Sequence, residues 1–527
     1  MGETTEIGEA PSPEELAKYP LNDLGNALRL IRIAGGRIDM ADVDKTHCTL
    51  LYLMGQGWIG YNGRHWDVKF GDALARKLTH QVHLKMNTPD VRAHLMKVHG
   101  VDQNKLRGFL DSLGDAGKSS AMLKQAESYL TVEIGDFDRH PMAINCMNGT
   151  VWLKADPDNP AGVKCQKKPH APADRITRMA AVNYDAKAVA PLFEEVWKRS
   201  LREPGLQAFF RRAAGYSCTG HTYERAMFMC QGRGSDGKST LLNAIRGALG
   251  GYGEVGKVES FLDDGQSNAS GASPDIVKLS GDSRIVVLSE PKRGARLKEG
   301  FIKEWTGGEP VSTRQLNNKM FDFQPKGRLW WQCNALPIVK GDDDGIWNRT
   351  HILLFQHQVP VDEQDKQLPD KLTGEYAGIL NWLIAGVGDW LTQGLNPPEI
   401  VRKAKEDYRK QSSPFGDWLN ECCVFGEAAA GHKETSGALY QSYKDWVTEQ
   451  GGDDKPMSLR AFGDALFQRQ ILHGPRMGDG KKTRAPIRLL ASWERSKPAA
   501  TDQAVHAPAA VGGETAYDDY SDIGAFD

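Results

Sequence analysis

The sequence predicts an α/β protein: a parallel-sheet core, a mainly helical domain before it, and a small C-terminal domain of three helices and a hairpin. Three observations carry this. An apolar run at 227–230 enters a glycine-rich loop and leaves it as an apolar-periodic helix. Two further apolar runs, 285–288 and 329–331, are each followed closely by a polar residue, as buried parallel strands are when they deliver side chains to their C-terminal edge. From 414 onward, three helical periods give way to a Gly-Asp-Gly turn and a last short strand, a winged-helix-like pattern.

Bulk properties exclude several classes. With 527 residues, the chain is expected to form several domains, and 40% hydrophobic residues suffice for ordinary cores. No apolar run approaches the ~20 residues a membrane-spanning helix needs. The N-terminus, Met1-Gly2-Glu3-Thr4-Thr5-Glu6, has no apolar stretch and does not read as a secretory signal. Eight scattered cysteines without zinc spacing suggest reduced thiols and a cytoplasmic location, and Cys165 with His170 reads as incidental. The net charge of −2 hides an asymmetry: after Ser496, one lysine stands against six acids, so the body is mildly basic. A basic body with an acidic tail fits nucleic-acid work.

In chain order, residues 1–20 read as a disordered lead and 21–190 as a helical or mixed domain that could serve as an assembly collar. Asn22 or Asp23 is a fitting cap for its first helix. Trp58 to Trp66 reads as a hairpin, with aromatics flanking Asn62-Gly63. The pattern is helical and rich in Lys and Arg from Gly71 to about Tyr129, charges best read as solvated faces. Asp136-Phe137-Asp138 has the look of paired catalytic carboxylates but lacks a second acidic cluster. Ile144 to Leu153 reads as strand-turn-strand, and Asp156-Pro157-Asp158-Asn159-Pro160 as a loop. Residues 191–395 hold the sheet core, 396–413 a charged helical linker with a solvated face, 414–493 the winged-helix-like unit, and 494–527 a disordered acidic tail.

The loop Gly232-Arg233-Gly234-Ser235-Asp236-Gly237-Lys238-Ser239-Thr240 carries the chemistry. Its glycines let successive N–H groups turn toward a phosphate, and the following helix N-terminus adds partial positive charge. Lys238 can reach β- and γ-phosphates, and the Ser239 hydroxyl can ligate Mg²⁺. A glycine-rich turn before an ordinary helix is the bland alternative, but strand, loop and helix together read as a P-loop binding ATP. Glu290, past the run at 285–288, is placed to polarise water and approach Mg²⁺. Asn334, after 328–333, can orient that water, and Arg349, before 350–355, can stabilise transition-state charge.

The order of these pieces resembles the superfamily 3 helicases, specifically the phage, plasmid and poxvirus primase-helicase group. The matching stretches are Asn145–Gly149, Gly232–Ser239, Leu288–Glu290, Ile302–Glu309, Cys333–Pro337 and Trp347–Arg349, continued by Gly378–Trp382 and Gly394–Pro398. The resemblance implies an AAA+-like core in which Lys238 and Ser239 bind phosphate and Mg²⁺. Glu290 would be the Walker B acid and Asn334 the sensor. Arg349 would be a finger acting on ATP held by a neighbouring subunit, so the active form would be a ring, a homo-hexamer. Lys303 to Arg314 would lead into a pore hairpin whose tip, with Asn318 and Lys319, contacts DNA. A lone lysine in a polar turn is ordinarily just solvated, and motif order alone singles out Lys319. Two departures stand out: Walker B has Ser289-Glu290 where many members have two acids, and the stretch before Asn145 is short for a primer-synthesising domain, which points to a separate primase or polymerase.

On the C-terminal hairpin, Arg476, Lys481, Lys482 and Arg484 suit phosphate contacts, against an ordinary solubilising hairpin. The tail, with Tyr517, Tyr520 and Phe526 among its acids, could dock a partner or mimic DNA, or serve only solubility. The expected function is an ATP-dependent replicative helicase acting on single-stranded and forked DNA with 3′–5′ polarity. Two alternatives remain: a duplex translocase or helicase loader, and an origin-binding assembly factor that does not separate strands.

Overall fold

The computed structural model describes residues 10–491, apart from 40–41, 160, 264–273, 315–319, 340–343, 412–413, 450–455, 477 and 479. It divides into two units, 1–413 and 414–527. No described helix is long and apolar enough to cross a membrane.

The first unit opens with a short helix, Pro13–Ala17, where the sequence suggested only a disordered lead. Asn22 caps the helix Asp23–Ile33, its Oδ1 accepting the Gly25 N–H at 2.8 Å. The expected hairpin forms: Gly57–Tyr61 pairs antiparallel with Trp66–Asp67. Asn62 Oδ1 accepts the N–H groups of Arg64 and His65, and Gly63 takes the left-handed φ of 96° that the turn requires. Helices Val68–Met86, Pro89–His99, Gln103–Ser112 and Ala116–Leu130 follow and share one core with the sheet, centred on Leu30, Leu51, Trp66, Val82 and Met122.

That core ends near Phe137. The antiparallel strands Ala143–Cys146, Gly149–Ala155 and Val163–Lys168 contribute Ile144, Cys146, Val151, Leu153 and Val163 to the next core, which continues to Val401. The core division therefore falls about fifty residues before the boundary read at 190, because these strands bury their apolar alternates against the following helices.

The second core surrounds a five-stranded parallel sheet. In chain order its strands are β1 (Met227–Gly232), β2 (Gly253–Gly256), β3 (Ile285–Leu288), β4 (Arg328–Cys333) and β5 (Thr350–Phe355). Their spatial order is β2-β3-β4-β1-β5. Side chains alternate between two apolar layers: Phe228, Cys230, Val287, Trp330 and Leu353 on one face, Met227, Met229, Leu288, Trp331 and Ile352 on the other. Burial on both faces is what makes these runs read as continuously apolar. Fully burying one such side chain contributes roughly 1.5–3 kcal/mol. Helices Pro204–Cys218 and Tyr376–Gln393 cover the first face and meet at Gly215 and Gly386, where any side chain would run into the other helix's backbone.

The helix Glu399–Gln411 departs from the solvated linker expected of its charges. Val401 and Tyr408 are buried; Tyr408 packs edge-on against Trp347 at 5.1 Å and donates its hydroxyl hydrogen to the Pro337 carbonyl. Residues 401, 404 and 408 form an apolar stripe at helical spacing inside a charged sequence.

The second unit has helices Pro414–Cys422, Ser436–Glu449 and Leu459–Gln468 around Phe415, Trp418, Tyr443 and Phe462. Cys423–Phe425 pairs with Ile487–Leu489, and Thr483–Ala485 pairs with both Glu434–Thr435 and Leu472–Gly474. The segment 475–482 thus connects the antiparallel strands Leu472–Gly474 and Thr483–Ala485. The acidic tail lies outside the described residues.

Candidate functional site

The loop joins β1 to the helix Lys238–Leu249. Ser235 and Gly237 take positive φ, 51° and 88°, so the chain reverses before the helix begins, with Gly237 as its N-cap. A side chain on Gly237 would strike Ser200. From outside, the segment after β5 braces the loop: the Val359 N–H donates to the Ser235 carbonyl at 2.7 Å and Gln358 Nε2 to the Gly234 carbonyl at 3.2 Å. Arg233, Ser235 and Ser239 are exposed, Thr240 is half-buried, and Asp236 and Lys238 are buried. Lys238 Nζ pairs with Asp236 Oδ2 at 2.5 Å.

Three strands end together around this loop. β1 is in register with β4 as Gln231 to Cys333, and β3 with β4 as Leu288 to Trp331. Glu290 and Asn334 follow directly, and Asn334 Nδ2 donates to Glu290 Oε2 at 2.8 Å. The Ser239 hydroxyl donates to Gln332 Oε1 at 2.6 Å. Gln332 and Asn334 are alternate residues, so they share one face about 7 Å apart. Strand β4 therefore ties the loop serine and the acid to one edge. Sequence reading placed Lys238, Ser239, Glu290 and Asn334 in this site and missed Gln332, which the period of two from Asn334 would have revealed.

Beneath the loop, burial first, and then the Glu290 charge, push the Cys333 thiol up to about 12. Burial likewise raises Cys230 well above its ordinary value. Both are neutral thiols, which suits packing rather than nucleophilic work. Among the described residues, no His, Cys, Asp or Glu group has a metal-holding arrangement of three or more. The hard oxygens of Ser239 and Glu290 nonetheless suit Mg²⁺ shared with phosphates, a mode that uses few protein ligands.

Arg349 lies at the opposite edge. Its carbonyl accepts the Met227 N–H at 2.7 Å, at the start of β1, whereas the loop follows the end of that strand roughly 17 Å away. Arg349 Nε donates to Thr306 Oγ1 at 3.0 Å and Nη1 to the Gly345 carbonyl at 2.6 Å. Thr306 belongs to the helix Glu299–Gly307, which also carries the half-buried Lys303. This helix leads into the hairpin Val311–Thr313 with Phe321–Phe323, paired Val311 to Phe323 and Thr313 to Phe321. Arg314, at its tip side, is half-buried; Asn318 and Lys319 lie outside the described residues.

In the C-terminal unit, Arg476, Lys481 and Lys482 are exposed on 475–482. Arg484 departs from the expectation: it is only 7% exposed and reaches Gly463 of the helix Leu459–Gln468. Burial draws it down from the ordinary arginine value. It sits within the paired strand Thr483–Ala485, whose side chains pack inward, and so serves packing more than phosphate contact.

Residues 41–203 match the family described as D5 N terminal like. The chain is 26% identical over 245 residues to "Putative helicase L207/L206" of Acanthamoeba polyphaga mimivirus, covering 43% of this chain and 25% of that protein. It is 23% identical over 269 residues to "Putative helicase 022R" of Frog virus 3 (isolate Goorha), covering 47% and 27%. The chain thus spans about a quarter of the length of the curated relatives it matches. The apo structure of the NrS-1 C terminal region aligns with 66% of this chain and 99% of its own at 10% identity, with a TM-score of 0.35, a likeness too slight to assign a fold. Over these stretches the chain is similar to proteins named as putative helicases of large DNA viruses.

Proposed function

We propose that the protein is an ATP-dependent replicative DNA helicase of a phage or mobile element, built on an AAA+-like core of superfamily 3 type with a winged-helix-like C-terminal domain. The observation that carries this reading is the pair of hydrogen bonds on one edge of β4, Ser239 to Gln332 and Asn334 to Glu290. They bring a P-loop hydroxyl, an acid and two amides to the C-terminal edge of a parallel sheet, where open α/β sheets hold ligands.

In this reading the loop N–H groups and Lys238 bind the phosphates of ATP, and Ser239 and Glu290 hold Mg²⁺. Such an ion would supply positive charge against the negative charge that develops on the phosphates. Glu290 accepts hydrogen-bond donation from the attacking water, and Asn334 fixes the carboxylate's orientation. Arg349, on the far edge, serves the site of a neighbouring subunit, which makes the working form a homo-hexameric ring. The hairpin from Val311 to Phe323, with Lys303, Arg314, Asn318 and Lys319 in and around it, contacts single-stranded DNA with 3′–5′ polarity. Arg476, Lys481 and Lys482 add phosphate contacts on forked DNA, and a primase or polymerase works alongside the protein in the host cytoplasm. The test is ATP hydrolysis with and without single-stranded DNA. DNA-stimulated turnover that is lost in Lys238→Ala and Glu290→Gln is expected; turnover that survives both substitutions would refute the site assignment.

A further inference from the structure

Within the loop, Asp236 and Lys238 form an ion pair with each other. Asp236 and Lys238 are 2% and 5% exposed, so their ion pair is shut away from water. The carboxylate is gripped twice: Oδ2 takes the Lys238 ammonium at 2.5 Å, and Oδ1 faces the Lys238 backbone N–H at 3.3 Å. Gly232 makes room for it, since a side chain there would run into Asp236 Oδ2. The first glycine of the motif thus accommodates this acid as well as the loop's turn. A buried ion pair held by further hydrogen bonds is costly to break, because either partner left alone is a buried charge. Lysine's compact ammonium on a flexible stem can still swing between two anions.

We infer that Asp236 sets the nucleotide affinity of the loop: it competes with the β- and γ-phosphates for Lys238 and so weakens the binding of di- and triphosphates. This rests on the reading of the loop as a nucleotide site. Phosphates arriving at Lys238 must draw the ammonium from Asp236, and the carboxylate then faces them as a buried like charge. The penalty falls on ligands that use Lys238, ATP and ADP, and spares AMP, whose single phosphate does not reach it. Asp236 is therefore a positioning residue, setting where the ammonium rests before nucleotide arrives.

The experiment titrates the full chain with fluorescently labelled ATP, ADP and AMP in Mg²⁺, comparing wild type, Asp236→Asn and Lys238→Ala. Wild type should bind ATP and Lys238→Ala should lose it; wild type without ATP binding would sink the nucleotide reading itself. Given that binding, Asp236→Asn should tighten ATP and ADP about tenfold and leave AMP unchanged. Unchanged or weaker ATP binding in folded Asp236→Asn overturns the inference and makes the acid an anchor that presets Lys238. An equal gain for AMP also overturns it, since that would be a general relaxation of the loop. Should Asp236→Asn fail to fold, Asp236→Ser removes the same charge and is read against the same outcomes.

Discussion

Asp138 offers a stability test whose sign follows from its surroundings. It is 5% exposed, and its carboxylate accepts the Thr177 N–H at 2.8 Å and hydroxyl at 2.6 Å. Burial, and then the Asp282 charge, push it up to about 6, with Lys326 and Thr177 pulling the other way. Asp282 resolves oppositely: burial works against its charge, but Arg284, bonded to it at 2.6 Å, and Lys326 hold it below its ordinary value. Of the two acids, Asp138 bears the strain. Because its folded value lies above the ordinary 3.8, its contribution is fully present below about pH 4 and is lost as pH rises through about 6. Since each tenfold change in proton affinity is worth ~1.4 kcal/mol, ionised Asp138 costs stability at pH 8 on the order of 1–3 kcal/mol. Asp138→Asn removes the charge and suits the left-handed φ of 54°, while weakening one Thr177 hydrogen bond worth about 1 kcal/mol. Urea unfolding followed by tryptophan fluorescence should find the variant about 1–2 kcal/mol more stable at pH 8, with no such gain at pH 4. A variant less stable at pH 8, or one with an unaltered pH slope, would refute this electrostatic account.

Other predictions concern the proposed ATP site, the sheet core and the C-terminal unit. Arg349→Ala and Glu290→Gln should each abolish ATP hydrolysis alone yet recover part of it when mixed, because mixed rings pair an intact Glu290 with an intact Arg349; no recovery would argue against action between subunits. Trp330→Ala removes a ring packed on Phe228 at 4.5 Å and the donor to Ser217 at 3.0 Å, so denaturant unfolding should show a loss of about 3–5 kcal/mol. Replacing Lys481 and Lys482 by glutamate should weaken forked-DNA binding and reduce the log–log salt slope by about 2. Arg484→Ala should leave that slope alone and instead destabilise the C-terminal unit by about 1–2 kcal/mol in thermal or urea melts.

The most legible parts of the sequence were those where local chemistry and final packing agree. The loop from Gly232 to Thr240 needs its glycines wherever it folds, and the runs feeding it are apolar throughout because both sheet faces are covered. The Asn62-Gly63 hairpin is likewise a local device. What stayed hidden depends on distant partners. Nothing near Ile144 or Val163 says which of two adjacent cores they enter; that is set by helices later in the chain. The helix Glu399–Gln411 looks solvated by composition, yet three positions at helical spacing suffice to dock it on Trp347 and β5. Arg484 reads as one more basic residue on a turn until strand pairing turns it inward. Gln332 was passed over because a single amide within an apolar strand gains meaning only from the hydroxyl it meets.

The most direct measurement is strand displacement on a 3′-tailed DNA fork with ATP and Mg²⁺, comparing wild type with Lys238→Ala and Glu290→Gln. ATP-dependent separation by the wild type and none by either variant is the expected result. DNA-stimulated hydrolysis by the wild type without separation of the strands would contradict the helicase reading and favour a duplex translocase or loader.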